Sequence, residues 1–497
     1  MPETVIAAVD LGSNSFRLQV SRVVHGQIYP LDALKESVRL AAGLQSDNTL
    51  SLEAQHRALE CLKRFGNRLR GVPPNAVRVI GTNTLRVARK SEAFLKKAEA
   101  LLGVPIEIVA GQEEARLIYM GVSHGLPSHP GKRLVVDIGG GSTEFILGQG
   151  LKPLLLESLY MGCVSYSARY FPEGRVTAQG FQGAQLAAAT ELQVLTRKFR
   201  AASWQQAVGS SGTARALADL LEQNGRDEPG VISVQGLEFL KERLIDSGDP
   251  RRLGLSGLRP DRVPVLPGGM AIMCAVFGEL GIERMQTTEN GLREGVLFEM
   301  LGRLEHQDIR EMTVRSFMQR YQVDERQVGR VHSLALGLLR QLASPDFFRQ
   351  YAAYLGWAAR LHEVGLSIAH GGYHKHSAYI IDNADMPGFS RTEQGLLGGL
   401  LQGQRGQLGK VAPRVTGREG WMMVLCLRLA VLVHRGRGDG TVPRIRLAWR
   451  PRGFVMDIGA SWIAANPLAR SSLLAEMRQW QNLGLELLIR VGGSPLR

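Results

Sequence analysis

Two copies of one short pattern constrain this chain more than anything else in its 497 residues. In each, an apolar run ends on aspartate, turns through glycine and small polar residues, and resumes as a second apolar run. The first copy is Val5–Val9, Asp10, the turn Gly12, Ser13, Asn14, Ser15, then the alternating Phe16, Leu18 and Val20. The second is Leu134–Val136, Asp137, the turn Gly139, Gly140, Gly141, Ser142, Thr143, then Phe145, Ile146 and Leu147. Their aspartates lie 127 residues apart. Each unit reads as strand, tight turn, strand, with glycine allowing the backbone to reverse within so few positions. Repetition at this distance predicts two α/β lobes of similar plan.

Between and after the hairpins the patterns alternate. Val77–Gly81 and Ile106–Ala110 read as strands, Ser91–Leu102 and Glu113–Gly121 as helices. Beyond residue 305 helical periodicity dominates, as in 326–342 and 344–365, the latter opened by a Ser344-Pro345 cap. Short alternating stretches return at 444–449 and 453–458. The expected division is therefore a first lobe over 1–125, a second over 126–304, a helical domain over 305–440 and a small α+β end over 441–497.

The turns carry chemistry as well as shape. Successive backbone N–H groups in a glycine-rich turn can cradle an anion, and serine, threonine and asparagine add donors. A carboxylate at each strand end can hold a divalent cation against that anion. One such turn alone would be read as structural; two in matching hairpins are hard to explain by folding need. Charge points the same way. The net charge is +14, and from residue 305 onward 25 basic residues face 15 acidic ones. That surplus is either a solvated face or a groove for a polyanion. Aromatic residues make up only 6% and do not interleave with the basic ones, so the stacking platform of a single-strand nucleic-acid binder is missing. Four scattered cysteines, Cys61, Cys163, Cys274 and Cys426, contain no CxxC pair and indicate neither a disulfide framework nor a zinc site. No stretch reads as a membrane helix, which needs roughly 18 apolar residues; Trp421–His434 comes nearest and carries Arg428. Asp10 interrupts the first apolar run, so no signal peptide is read there, and a cytoplasmic location is expected.

The paired hairpins resemble the two phosphate motifs of the superfamily that holds actin, the heat-shock chaperone ATPases and the sugar kinases. The fuller wording is similar to one family within it, the exopolyphosphatases and guanosine-pentaphosphate phosphohydrolases. The matching segments are AVDLGSNSFRL (8–18), GTNTLR (81–86), GQEEARLIYMGV (111–122), VVDIGGGSTEF (135–145), MGCVS (161–165), GSSGT (209–213), GLREGVL (291–297) and LHEVGLSIAHGGYHKHSAYI (361–380). The resemblance implies an α/β fold: two actin-like (ribonuclease-H-like) lobes, then a mainly helical, degenerate HD-like domain and a small α+β C-terminal domain.

It also implies roles. Glu113 and Glu114 by themselves are an acidic pair at a helix start, favoured by the helix dipole; the family's catalytic glutamate falls on Glu114, which would direct a water at phosphorus. Asp137 and Glu144, supported by Asp10, would hold Mg²⁺, with Mn²⁺ as a substitute and K⁺ as a monovalent activator. Arg86, by itself a surface arginine, and Gly212 and Thr213 in GSSGT would join the two turns on phosphate oxygens. His370, Lys375 and His376 would contact a long polyphosphate chain, and Arg405, Lys410 and Arg414 of the basic stretch would extend that channel; a polar cluster that merely packs and caps is the competing reading. His362-Glu363 stands where HD-type enzymes have His-Asp, and Val431 where they have Asp, so a second metal site is not expected. The expected reaction is removal of terminal phosphate from inorganic polyphosphate by a homodimer, with 5′-phosphate hydrolysis of guanosine pentaphosphate as the alternative. Gly141 favours the first, because the second branch tends to carry alanine there. An ATP-dependent kinase and a catalytically dead polyphosphate or nucleic-acid sensor are the remaining rivals.

Overall fold

In the computed structural model both repeats fold as antiparallel hairpins in equal register. β1 (Thr4–Leu11) pairs with β2 (Phe16–Val24), setting Asp10 opposite Arg17 and Leu11 opposite Phe16. β3 (Gln27–Glu36), β4 (Val77–Gly81) and β5 (Ile106–Ile108) complete a five-stranded sheet of order β3-β2-β1-β4-β5. In the second lobe β6 (Lys132–Ile138) pairs with β7 (Thr143–Gln149), setting Asp137 opposite Glu144 and Ile138 opposite Thr143. β8 (Lys152–Leu159), β9 (Gln206–Ser210), β10 (Val231–Ser233) and β11 (Arg284–Thr288) extend it to six strands, β10-β11-β9-β6-β7-β8. The first strand of each hairpin also pairs in parallel with a later strand, β1 with β4 and β6 with β9. Such central strands are covered on both faces, which is why they read as continuous apolar runs.

The structure describes residues 4–24, 27–127, 129–304, 308–415, 417–438 and 442–496. They form two compact units, Met1–Asp308 and Ile309–Arg497. The boundaries expected near 305 and 440 fall on residues outside the described ones. The first unit has the actin-like plan of two α/β lobes. Its second lobe corrects one reading of the sequence. The 18-residue stretch Val263–Leu280, with a mean hydropathy of 1.6, is long and apolar enough to pass for a membrane span, a better candidate than Trp421–His434. It is a core element instead. The helix Leu266–Leu280 packs along the helix Ala178–Phe199, and its Met270, Ile272, Met273 and Val276 are buried in the core of the lobe.

In the second unit the helices Glu325–Leu342, Pro345–Leu361, Tyr373–Asn383, Arg391–Gly403 and Gly417–Val433 enclose a core. Ser344 caps the second of these, its side chain accepting from the Phe347 N–H at 3.2 Å. The four-stranded sheet of β12 (Ile445–Arg450), β13 (Gly453–Ile458), β14 (Glu486–Val491) and β15 (Ser494–Pro495) contributes Leu447, Phe454, Met456 and Ile489 to the same hydrophobic cluster as the helices.

Candidate active site

The two hairpin turns meet. A Cβ added at Gly140 would lie 2.8 Å from the Ser13 side chain, and one at Gly141 would lie 2.5 Å from Asn83 Oδ1 and 3.3 Å from Ser13 Oγ. Glycine is required there by the close approach of one turn to the other. The cleft they form is lined by Asp10, Gly12, Ser13, Asn14 and Ser15 from the first turn and by Asp137, Gly139, Gly140 and Ser142 from the second. Glu114, on the helix Gly111–Gly125, and Gly212, at the start of the helix Gly212–Gln223, line it too. The Asn14 amide and the Ser15 hydroxyl are buried without hydrogen-bond partners among the described residues. Unsatisfied buried donors of this kind are costly unless a ligand engages them.

The acidic groups are held far from their ordinary titration range. Burial pushes Asp10 up to about 6, against the lowering pull of Arg17 and Arg293. Burial raises Asp137 to about 7; Ser210, whose hydroxyl donates to Oδ2 at 2.8 Å, works against this, while Glu114 and Asp10 add to it. Glu114 is raised by burial and opposed chiefly by Arg86. Glu144 is raised by burial and by the neighbouring Glu114 and Asp137. Four carboxylates thus share one poorly solvated neighbourhood, where like charges and desolvation both disfavour ionisation.

A cation would reverse that balance. Among the described residues no three acidic, histidine or cysteine side chains cluster closely enough to hold an ion by themselves. Mg²⁺ does not need such a cage, because it keeps several waters and uses one or two carboxylates together with substrate phosphate. Asp10 Oδ1 is buried with no hydrogen-bond partner among the described residues, and Asp137 lines the cleft beside it. This donor set fits Mg²⁺. Glu144 stands differently from the expectation of a direct ligand: its Oε1 accepts from the Ser158 hydroxyl at 2.8 Å, and it is not among the lining residues.

Other expected phosphate ligands are also placed elsewhere. The Thr143 hydroxyl donates to the Met161 carbonyl at 2.6 Å and the Thr213 hydroxyl to the Ile138 carbonyl at 3.0 Å, so both fasten the turns from behind. Gly141 packs against Asn83 and does not line the cleft. Arg86 turns to protein, with Nη1 donating to the Val109 carbonyl at 2.9 Å and to Glu114 at 3.2 Å. The positive charge in the cleft comes from arginines given no phosphate role in the sequence: Arg17 and Arg293, which lie within motif segments, and Arg215 and Arg262; Arg293, whose segment was expected to be structural, lines the cleft. Arg17 had a signal in the repeat, since it occupies the place opposite Asp10 that Glu144 occupies opposite Asp137. Arg262 is 5% exposed, and its guanidinium packs directly on Gly212, where a Cβ would lie 2.1 Å from Nη2 and force it to shift. Ser211, beside it, holds φ 139°, a region nearly confined to glycine, while its hydroxyl caps the following helix.

In the second unit His370 and Arg405 line one cavity, together with His362, Glu363 and Val431. The other expected channel residues do not. Lys375 and Lys410 are exposed, and His376 is half-buried outside the lining. Arg414 is tied to Asp382 Oδ1 at 2.6 Å, the Gly395 carbonyl and Gln402, leaving it committed to packing.

Paired hairpins closing on a phosphate-sized cleft lined by carboxylates and arginines define a phosphate-handling member of the actin-like class. The chain belongs to the Ppx/GppA phosphatase family, whose sequence pattern matches residues 19–304, with the pattern of that family's domain III matching 309–477. A Vibrio cholerae protein named guanosine-5′-triphosphate,3′-diphosphate pyrophosphatase is 38% identical over 490 residues, covering 97% of each chain. One of the same name from Aliivibrio fischeri is 38% identical over 486 residues, again 97% of each. Among solved structures, an exopolyphosphatase from Cytophaga hutchinsonii superimposes with a TM-score of 0.55 at 24% identity, over 60% of this chain and 98% of that one. A Ppx/GppA family member from Aquifex aeolicus gives 0.51 at 23% identity, over 61% and 100%. These two likenesses speak to the fold alone.

Proposed function

We propose that this protein hydrolyses the 5′-terminal phosphoanhydride of guanosine 5′-triphosphate 3′-diphosphate, releasing orthophosphate and leaving the 5′-diphosphate. This places guanosine pentaphosphate ahead of inorganic polyphosphate, the reverse of the order expected from the motifs. The observation that carries it is the 38% identity, over nearly the whole of both chains, to proteins named for that reaction. Gly141, which favoured polyphosphate, also has a packing explanation in Asn83. The site supports a nucleotide as well. The phosphate cleft has a cavity volume of only about 120 Å³, enough for the end of a phosphate chain. Asn14 also borders a larger cavity of about 330 Å³ floored by Val164, Phe171 and Pro267 and rimmed by Arg39 and Arg251, where a nucleoside can lie beside its own phosphates.

In the proposed reaction the terminal phosphate sits between turns 12–15 and 139–142, with Arg17, Arg262 and the start of the 212–223 helix on its oxygens. Glu114 accepts a proton from a water in line with the anhydride bond; the water oxygen bonds to phosphorus as the bridging oxygen leaves with the electron pair. Asp10 and Asp137 would hold Mg²⁺, which when bound neutralises the phosphate oxygens. Phosphate release from guanosine pentaphosphate and from long-chain polyphosphate, compared side by side with Mg²⁺ and K⁺ present, tests the reading. A higher kcat/KM on the nucleotide is expected; a clear preference for polyphosphate would overturn it.

A further inference from the structure

The second unit holds a cavity of about 450 Å³, within the range that takes a drug-sized or nucleotide-sized ligand. It is a different chemical environment from the phosphate cleft. Four arginines line it, and only two carboxylates. Arg428 is spent on Glu476, at 2.5 and 2.6 Å, and Arg437 on Glu363. Arg405 and Arg435 have no carboxylate partner among the described residues, and Arg405 lies over the Tyr373 ring, 5.7 Å from its centroid. Arg405 also hydrogen-bonds the Tyr373 hydroxyl, and two guanidiniums without carboxylate partners are suited to a phosphate group.

The cavity also contains acceptors that nothing satisfies. His362 is fully buried, and its Nδ1 lies 2.7 Å from the Ala359 carbonyl, which fixes the proton on Nδ1 and leaves Nε2 as a lone-pair acceptor. That Nε2 has no hydrogen-bond partner, the nearest carboxylate oxygen being 3.7 Å away on Glu363. Gln404 is 2% exposed; its amide N–H₂ donates to the His362 carbonyl at 2.8 Å, and its Oε1 is likewise unpartnered. A metal would satisfy Nε2, but the surrounding donors do not form a metal-binding group among the described residues, and Val431 and two arginine-paired carboxylates make the wall unsuited to one. A ligand carrying N–H or O–H donors at one end and phosphate at the other satisfies every one of these groups. A polymer does not, because Lys375, Lys410 and Arg414 lie outside the cavity and supply no continuation.

We propose that this cavity is a second, non-hydrolytic site for a nucleoside phosphate, with the nucleoside on His362 Nε2 and Gln404 Oε1 and the phosphate on Arg405 and Arg435. The site stands independently of the reaction assigned to the first unit, so either can fail alone.

Hydrogen exchange on the full-length chain tests it, using GDP, ADP, guanosine and inorganic pyrophosphate as separate probes and reading segments 362–376 and 404–407. With GDP or ADP at ten times its dissociation constant, exchange in these segments should slow by about tenfold where opening requires ligand release. The double variant Arg405→Ala/Arg435→Ala should lose that protection while its phosphate release from guanosine pentaphosphate, with no GDP or ADP added, stays within twofold of the parent. Arg405→Lys/Arg435→Lys should restore part of it, which a merely unfolded pocket would not. No protection by either nucleotide at millimolar concentration overturns the proposal, and so does equal protection in the alanine double variant. Pyrophosphate protecting as well as GDP overturns the nucleoside half, reducing the site to a bare anion pocket.

Discussion

Nη1 of Arg86 stands 3.2 Å from the carboxylate of Glu114 and is shared with the Val109 carbonyl, to which it also donates at 2.9 Å. This pair joins the segment after β4 to the helix that bears the proposed base, and it makes Arg86 a positioning residue for Glu114. Glu114→Gln is expected to lower kcat by about 100- to 10,000-fold, the usual worth of a positioned base, with substrate binding retained. Arg86→Ala removes a positive neighbour and so raises the pKa of Glu114 further. The acidic limb of its pH–rate profile should move to higher pH, and Arg86→Lys should recover part of the shift. An unchanged acidic limb in Arg86→Ala would disconnect the two.

The raised carboxylates imply a linked dependence on protons and cation. With Asp10 near 6 and Asp137 near 7, a cation must displace protons to bind below neutral pH. The Mg²⁺ concentration giving half-maximal rate is expected to climb by about tenfold per pH unit below 7 for each proton displaced. Without divalent cation the same groups act on stability. Their folded values lie above the unfolded value of 3.8, so their contribution is favourable below about pH 4 and is lost as pH rises through 6 to 7. Asp137→Asn should therefore stabilise the metal-free protein at pH 8 by on the order of 1–2 kcal/mol, discounting for the side open to the cleft, and should do little at pH 4. Thermal melts in chelator at the two pH values check this.

A buried ion network holds the Glu114 helix in place. Arg116 meets Glu113 at 2.7 Å and Glu299 at 2.9 Å, and Arg78 meets Glu299 at 2.9 Å and Glu107 at 2.7 Å. Glu299 is 4% exposed on the helix Leu292–Leu304, which packs closely on the helix Gly111–Gly125. Glu299→Gln leaves two guanidiniums short of charge in a dry setting, which costs about 3–5 kcal/mol. Denaturant unfolding of the variant should show that loss, whereas Glu53→Gln, whose i,i+4 partner Arg57 is on the surface, should change stability by less than about 0.5 kcal/mol.

How the hairpins come together was legible because it depends on local pattern: the Asp–turn–strand repeats specify their own register, and two of them imply a facing pair. Glu114 was legible only through the family resemblance; helical periodicity by itself gave no more than an acidic pair at a helix start. What the motifs missed depends on where loops return in three dimensions. Arg262 sits in an irregular stretch before a 3₁₀ turn, and only folding brings its guanidinium onto Gly212. Thr143 and Thr213 have the right chemistry for phosphate, but each finds a backbone carbonyl to bind instead. Arg414 carries the right charge for a polyanion, but Asp382 neutralises it from a helix 32 residues away in sequence.

Gly141 and Asn83 offer a test of packing against substrate choice. A methyl group at 141 would meet Asn83 Oδ1 at 2.5 Å, so Gly141→Ala alone should destabilise by about 1–3 kcal/mol, as overpacking does. Asn83→Ala removes the obstacle and should restore most of that loss, giving a coupling of about 1 kcal/mol or more in a double-mutant cycle. The ratio of kcat/KM on guanosine pentaphosphate to that on polyphosphate should stay within about threefold across the four proteins. A ratio that swings with residue 141 alone would give that glycine the discriminating role it first suggested.

The cross-strand partners of the two aspartates differ in charge, and the difference assigns them different work. Glu144, opposite Asp137, stays behind the turn with Ser158, whereas Arg17, opposite Asp10, faces the cleft. The first hairpin thereby supplies a cation to the phosphate side and partly offsets the burial that raises Asp10's pKa. Arg17→Ala is expected to raise KM for guanosine pentaphosphate by about 10- to 100-fold, the worth of charge-assisted hydrogen bonds lost to a phosphate. It should also raise the pKa of Asp10 and so sharpen the Mg²⁺ requirement near pH 6. Glu144→Gln should leave KM near the parent value and act on the Mg²⁺ dependence alone. If the two variants behaved alike, the asymmetry between the hairpins would have no functional meaning.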